Sequence, residues 1–187
     1  MTDSHPIPSP VSFPVHVARL PKKGMTVEID ADQGQREALA RLHGLEAVER
    51  FSARLDVTAW KRGGVRVTGR VEADIVQQCV VTLEPVAARV DEAVAATFLP
   101  EGSRLARPTF SAEGEILLDA EGEDGPEIFS GDTIDAGQLA EEFFALGIDP
   151  YPRKAGVGLA GDPGEEPGEE EARGPLHDKL AQLRKKL

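Results

Sequence analysis

The residues of this chain that could do chemistry are few. Cys79 is the single cysteine, and His5, His16, His43 and His177 are the only histidines. One thiol excludes an intrachain disulfide, and no Cys/His set has the spacing of a tetrahedral zinc site. Val80 and Val81 beside Cys79 favour an inert buried thiol over a nucleophile. The scattered histidines form no Ser/His/Asp or Cys/His arrangement. Glu141-Glu142 could supply a general acid and base only if positioned partners separated their pKa values. The spacing offers none, so a solvated acidic face is expected. These residues predict a protein that is not an enzyme and carries no cofactor.

Two motif-like stretches lack the surroundings their chemistry needs. Gly156-Val157-Gly158-Leu159-Ala160-Gly161 matches the dinucleotide fingerprint, whose mechanism requires a strand before it and a helix N-terminus after it to hold pyrophosphate. Tyr151-Pro152-Arg153-Lys154 precedes it and Asp162-Pro163-Gly164 follows, which reads as a linker. Asp119, Glu121 and Glu123 imitate the start of a calcium loop. The sixth position is Asp124 where glycine is required, and the twelfth is Ser130 where a bidentate Glu should stand.

The net charge of −12 is unevenly placed. Residues 1–107 carry 14 acidic and 14 basic side chains, residues 153–187 carry 7 of each, and residues 108–152 carry 12 acids with no Lys or Arg. Between Arg36 and Arg70, eight basic residues face four acids. Strand alternation puts Arg54, Arg66 and Arg70 on one polar face, with Lys61 and Arg62 at the hairpin tip. A basic stripe able to meet phosphate is therefore weighed against an ordinary charged surface, and Phe51 and Trp60 are the only nearby aromatics that could stack on bases.

These side chains need elements to position them. Val, Leu, Ile and Phe together number 47 of 187 residues, enough for a core at a length that suits one domain. Pro6, Pro8 and Pro10 loosen the start, and order is expected from Phe13. Val15 and Val17, then Met25, Val27 and Ile29, read as two short strands joined by a turn. Asp32 caps a helix through Leu42 that buries Leu39 and Leu42 and ends at Gly44. Phe51 to Ala59 and Val65 to Ile75 alternate around Lys61-Arg62-Gly63-Gly64 as an antiparallel hairpin. Val90 to Phe98 is a third strand, after an apolar Cys79–Pro85 stretch closed by a strand-ending proline. Glu115 to Asp119 is strand-like. A helix starting at Asp132, Thr133 or Asp135 places Leu139, Phe143 and Leu146 at helical spacing and ends at Gly147. Ala155 to Gly174 is Gly, Pro and Glu, a disordered composition. Leu176, Leu180, Leu183 and Leu187 then share one face of a short helix with Lys179, Arg184, Lys185 and Lys186 elsewhere. No apolar run reaches the roughly 20 residues of a membrane span, and the lone cysteine suits a reducing cytoplasm.

The segment Gln78-Cys79-Val80-Val81-Thr82-Leu83-Glu84-Pro85 resembles the central motif of the YceD family, proteins linked to accumulation of large-subunit ribosomal RNA. Val65 to Ala73 with Gly69, then Ile134-Asp135 with Leu139-Ala140-Glu141-Glu142 and Leu146, then Asp149-Pro150-Tyr151-Pro152-Arg153, resemble family segments in the same order. Many relatives carry Cys-x-x-Cys at the central motif and further cysteines downstream, which suggests a metal site. This chain has Thr82 in place of the second thiol and no cysteine in Tyr151 to Lys154, like the proteobacterial branch that reads Cys-Val-Val-Thr-Leu-Glu-Pro. The resemblance implies a role in large-subunit assembly without the metal.

The expected architecture is α+β, a curled, mainly antiparallel and partly barrel-like sheet with one or two packed helices. Residues 1–12 are a flexible N-terminus, 13–155 the domain, 156–174 an acidic linker and 175–187 a basic amphipathic helix. The expected function is a non-enzymatic, cytoplasmic factor in large ribosomal subunit biogenesis. Its expected partners are ribosomal RNA or pre-large-subunit particles, with Arg54, Arg62, Arg66 and Arg70 as RNA contacts, and a basic ribosomal protein on the acidic segment. The alternative is an acidic protein-binding module that never touches RNA.

Overall fold

The computed structural model describes residues 8–103 and 125–156. Five strands form one sheet in the order β2 (Met25–Asp30), β3 (Ala47–Ala59), β4 (Val65–Gln78), β5 (Pro85–Pro100) and β6 (Glu127–Phe129). The first four are antiparallel neighbours in sequence order, and β6 runs parallel to the end of β5 through Phe98, Leu99 and Pro100. β1 (Pro14–His16) and β7 (Thr133–Asp135) form a separate antiparallel pair. Helices α1 (Gln33–His43) and α2 (Ala136–Leu146) complete the α+β fold.

The sheet is open rather than partly barrel-like. Closure would require the edge strands β2 and β6 to bond to each other. Instead β2 pairs with β3 and β6 with β5, and the helices cover the apolar face. The alternation in β3 and β4 delivers Phe51, Ala53, Leu55, Val57, Val65, Val67, Val71, Ala73 and Ile75 to that face, all buried. Leu39 of α1 and Phe144 of α2 join the same core, with Phe144 edge-on to Phe51 at 5.4 Å. Gly69 lies where β3 comes closest: a Cβ there would sit 2.1 Å from the Arg54 carbonyl oxygen.

Local signals set the helix ends. Asp32 accepts from Gln35 N–H at 2.9 Å while the Gln35 side chain accepts from Asp32 N–H, a reciprocal cap. Gly44 ends α1 in the left-handed region at φ 66°. Asp135 caps α2 and also accepts from Phe13 N–H and the Ser12 hydroxyl. Burial pushes the Asp135 carboxyl up, but the bonds from Ser12, Gln138, Phe13 and Gly137 outweigh it and leave it below the usual range.

Several expectations shift. Val17 lies in a 3-10 turn, and β1 pairs with β7 rather than with β2, because the start of the chain is drawn onto α2 through Asp135. The core reaches back to Val11, ahead of Phe13. On α1 the buried pair is Leu39 and Ala40 while Leu42 is exposed, and on α2 Leu139, Ala140 and Phe144 are buried while Leu146 is exposed. Pro85 opens β5 instead of ending a strand, a position where its missing N–H costs no ladder bond. Glu115–Asp119, the calcium-like acids Asp119 to Asp124, all of the fingerprint after Gly156, most of the linker and the basic terminal segment lie outside the described residues.

Candidate functional site

The connection from β4 to β5 is built around a sulfur. Cys79 N–H donates to the Glu84 carbonyl at 2.8 Å and Leu83 N–H to the Cys79 carbonyl at 2.9 Å, which closes the turn. Leu83 takes φ 59°, a conformation rare for a bulky residue, and its side chain stays exposed. Inside the turn the Cys79 Sγ accepts from Thr82 N–H and from Lys154 N–H, each at 3.4 Å. The Thr82 hydroxyl, the Thr82 N–H and the Lys154 N–H together outweigh burial and draw the thiol down to about 6. Cys79 is buried as its apolar neighbours suggested, and the donors around its sulfur favour the thiolate more than an ordinary apolar site would.

The turn is clasped by residues 149–154. Val80 N–H donates to the Pro152 carbonyl at 2.9 Å, and the Gln77 side-chain amide to the Asp149 carbonyl at 2.8 Å. Lys154 Nζ meets Glu84 Oε2 at 2.7 Å, and the pairing holds the Glu84 carboxyl below its usual range and raises Lys154. Of the motif residues, Pro152 is buried, while Gln78, Thr82, Leu83, Glu84, Pro85 and Pro150 are exposed, and the Thr82 hydroxyl accepts from Glu84 N–H at 3.4 Å. Val80, Leu83 and Tyr151 leave large apolar surfaces in solvent around the clasp. The paired cysteines of many relatives suggest a metal at such a turn, and the donor set of this chain does not fit one. A single sulfur already saturated by N–H donors, a hydroxyl and a cationic Lys154 cannot make four anionic or neutral ligands. What the arrangement does is fasten two loops.

The solvent face of the sheet is the second candidate. The register places Arg54 opposite Arg70, with Arg66 two positions along on the same face and Arg62 apart at the hairpin tip, φ 56°. Lys61 stacks on Trp60 there at 5.5 Å. Five arginines share the face, Arg50, Arg54, Arg66, Arg70 and Arg89. Six carboxylates stand among them, Glu28, Asp30, Asp56, Glu72, Asp74 and Asp91. Arg54 pairs with Glu28, Arg70 with Asp91, and Arg50 and Arg89 both with Glu72. The stripe is a mosaic of cross-strand ion pairs. A count along residues 36–70 missed this because Glu28 and Asp91 come from neighbouring strands, and only the pairing register brings them in.

The acidic residues of α2 divide. Glu142 is exposed and accepts from Gln138 at 3.0 Å, but Glu141 is buried, not solvated. Glu141 meets His43 Nε2 at 3.1 Å, and the His43 ring lies edge-on to Phe144 at 5.3 Å, so this pair joins α1 to α2. The spacing of the two residues, 98 positions apart, carried no signal. Glu127 is pushed above the usual range by burial and then by the Glu142 charge.

Fold and site together define an open α+β domain whose mainly antiparallel sheet carries a sulfur-centred turn clasped by a proline-containing segment. Residues 67–185, 119 of 187, match the family described as large ribosomal RNA subunit accumulation protein YceD, and the chain belongs to that family. The match takes in most of β4, the Cys79 turn, α2 and the closing segment. No curated protein and no solved structure matches the chain.

Proposed function

We propose that the protein is a non-enzymatic factor in large ribosomal subunit biogenesis, working in the cytoplasm to support synthesis, processing or stability of large-subunit ribosomal RNA. The observation that carries this reading is the YceD match itself, whose description names accumulation of that RNA. The contact mechanism is phosphate binding by Arg54, Arg62, Arg66 and Arg70, and the exposure of the face supports it. The Arg54–Glu28 and Arg70–Asp91 pairs are solvent-exposed and therefore weak, so their guanidinium groups can be traded to phosphate at low cost.

A gel-shift series with large-subunit ribosomal RNA tests the face. Changing Arg62, Arg66 and Arg70 together to Glu is expected to abolish the shift, and the wild-type affinity to fall with salt by roughly 0.7–0.9 in log K per log salt for each phosphate contact. Unchanged binding by the triple variant would remove the phosphate face. The second reading, an acidic module for a basic ribosomal protein, is favoured by the absence of any Lys or Arg from residues 108–152. It predicts no RNA shift and capture of a basic ribosomal protein that raised salt releases.

A further inference from the structure

Tyr151 is the chain's one tyrosine and, at 71% exposure, the most exposed aromatic ring among the described residues. Its backbone is fixed from both sides. Tyr151 N–H donates to Asp149 Oδ1 at 2.9 Å, Pro150 and Pro152 flank it, and the Pro152 carbonyl accepts from Val80 N–H. The ring is held in water by a rigid segment, so placing a flat ligand on it costs little backbone entropy. The clasped turn adds Val80, 47% exposed, and Leu83, 66% exposed in a left-handed conformation at φ 59°. Backbone strain that sets an apolar side chain in solvent does nothing for the core, and such strain gathers at ligand-binding sites.

Charge and shape decide what this surface fits. Residues 150–156 hold Arg153 and Lys154 and no acid. Lys154 pairs with Glu84 where both side chains are about half exposed, and Arg153 is exposed with a partner of its own. Exposed pairs of this kind exchange for phosphate at low cost. An aromatic face next to exchangeable cations takes a base on the ring and its phosphates on the cations. A protein groove would meet the apolar side chains equally well but gives the cations no role.

We propose, resting on the RNA reading above, that the clasp is a stacking platform for unpaired bases of RNA. A base lies on Tyr151, Leu83 and Val80 border it, and Arg153 and Lys154 meet the adjoining phosphates. A base inside a duplex has both faces stacked on its neighbours and is excluded. The platform is separate from the hairpin tip. Arg62 precedes β4 and Cys79 follows it, so the 14 residues of the strand set them about 45 Å apart. The two contacts can therefore be removed one at a time.

The test measures binding of the full chain to a single-stranded RNA oligonucleotide and to the same sequence as a blunt duplex. Tyr151→Ala is expected to weaken single-strand binding roughly 5- to 150-fold, the range for losing one stacked base, and to leave duplex binding unchanged. Tyr151→Phe, which keeps the ring, should bind as wild type does. Adding the single strand should also move the ring resonances of the one tyrosine upfield, because the base lies over its face. A wild-type chain that binds neither RNA overturns the platform and the RNA reading together. Single-strand binding that Tyr151→Ala leaves intact overturns the platform alone, as does an equal loss for both RNAs. So does loss of co-sedimentation with pre-large-subunit particles in a Tyr151→Ala variant whose RNA affinity is unchanged, since the surface then seats a protein.

Discussion

The Cys79 turn and the solvent face of the sheet neutralise charge in opposite ways. In the turn, one buried sulfur is met by fixed N–H groups that favour its anion, so this stabilisation is built into the backbone and cannot be traded. On the face, arginines are met by carboxylates on long exposed side chains, so each pair contributes about 0–1 kcal/mol and water or salt competes for it. The first arrangement makes structure. The second leaves cations that can change partners, which is what a surface for a polyanion needs.

Substitutions can break that contrast. The largest effect is expected on the sheet backbone under the arginines: Gly69→Val forces β3 and β4 apart at Arg54 and should cost about 3 kcal/mol in denaturant unfolding. Next, Cys79→Ala strips the acceptor from the N–H groups of Thr82 and Lys154 and is expected to cost about 2 kcal/mol. A cost near zero would mean that the sulfur does not hold the clasp. Asp135→Ala, which removes the α2 cap and the tie to Phe13, should cost about 1–2 kcal/mol.

The pH dependence sharpens the same comparison. Cys79 is drawn from 9.0 to about 6 by folding, so between these values the unfolded chain holds a proton that the native state lacks. Its contribution to stability is complete above 9, declines as pH falls and is gone below about 6. Thermal unfolding of wild type minus Cys79→Ser should therefore show a difference that grows from pH 6 to 9, and a flat difference would count against a folded-state thiolate. The smallest effect belongs to the face: Arg70→Ala should change stability by less than about 1 kcal/mol, and less still at high salt.

Much of the fold was legible because its signals are local. Alternation in β3 and β4, the cap at Asp32 and Gly44 after α1 each act within a few residues, and each stands where its spacing placed it. The open sheet, the pairing of β1 with β7 and the burial of Glu141 against His43 depend on contacts between distant segments, which no window of sequence holds. The site divides on the same line. The motif from Gln78 to Pro85 marked the turn, but Lys154 as donor to the sulfur came only from the closing segment folding back. The arginines were visible individually, and their carboxylate partners were one strand away.

The claim at the centre of the account is that this YceD protein acts on the large ribosomal subunit as it is assembled. Sedimentation of a cell lysate through a gradient, with the full chain followed by immunoblot at low and raised salt, measures this directly. The protein is expected with precursor large-subunit particles at low salt and at the top of the gradient at raised salt. A chain that stays at the top under both conditions would contradict the account.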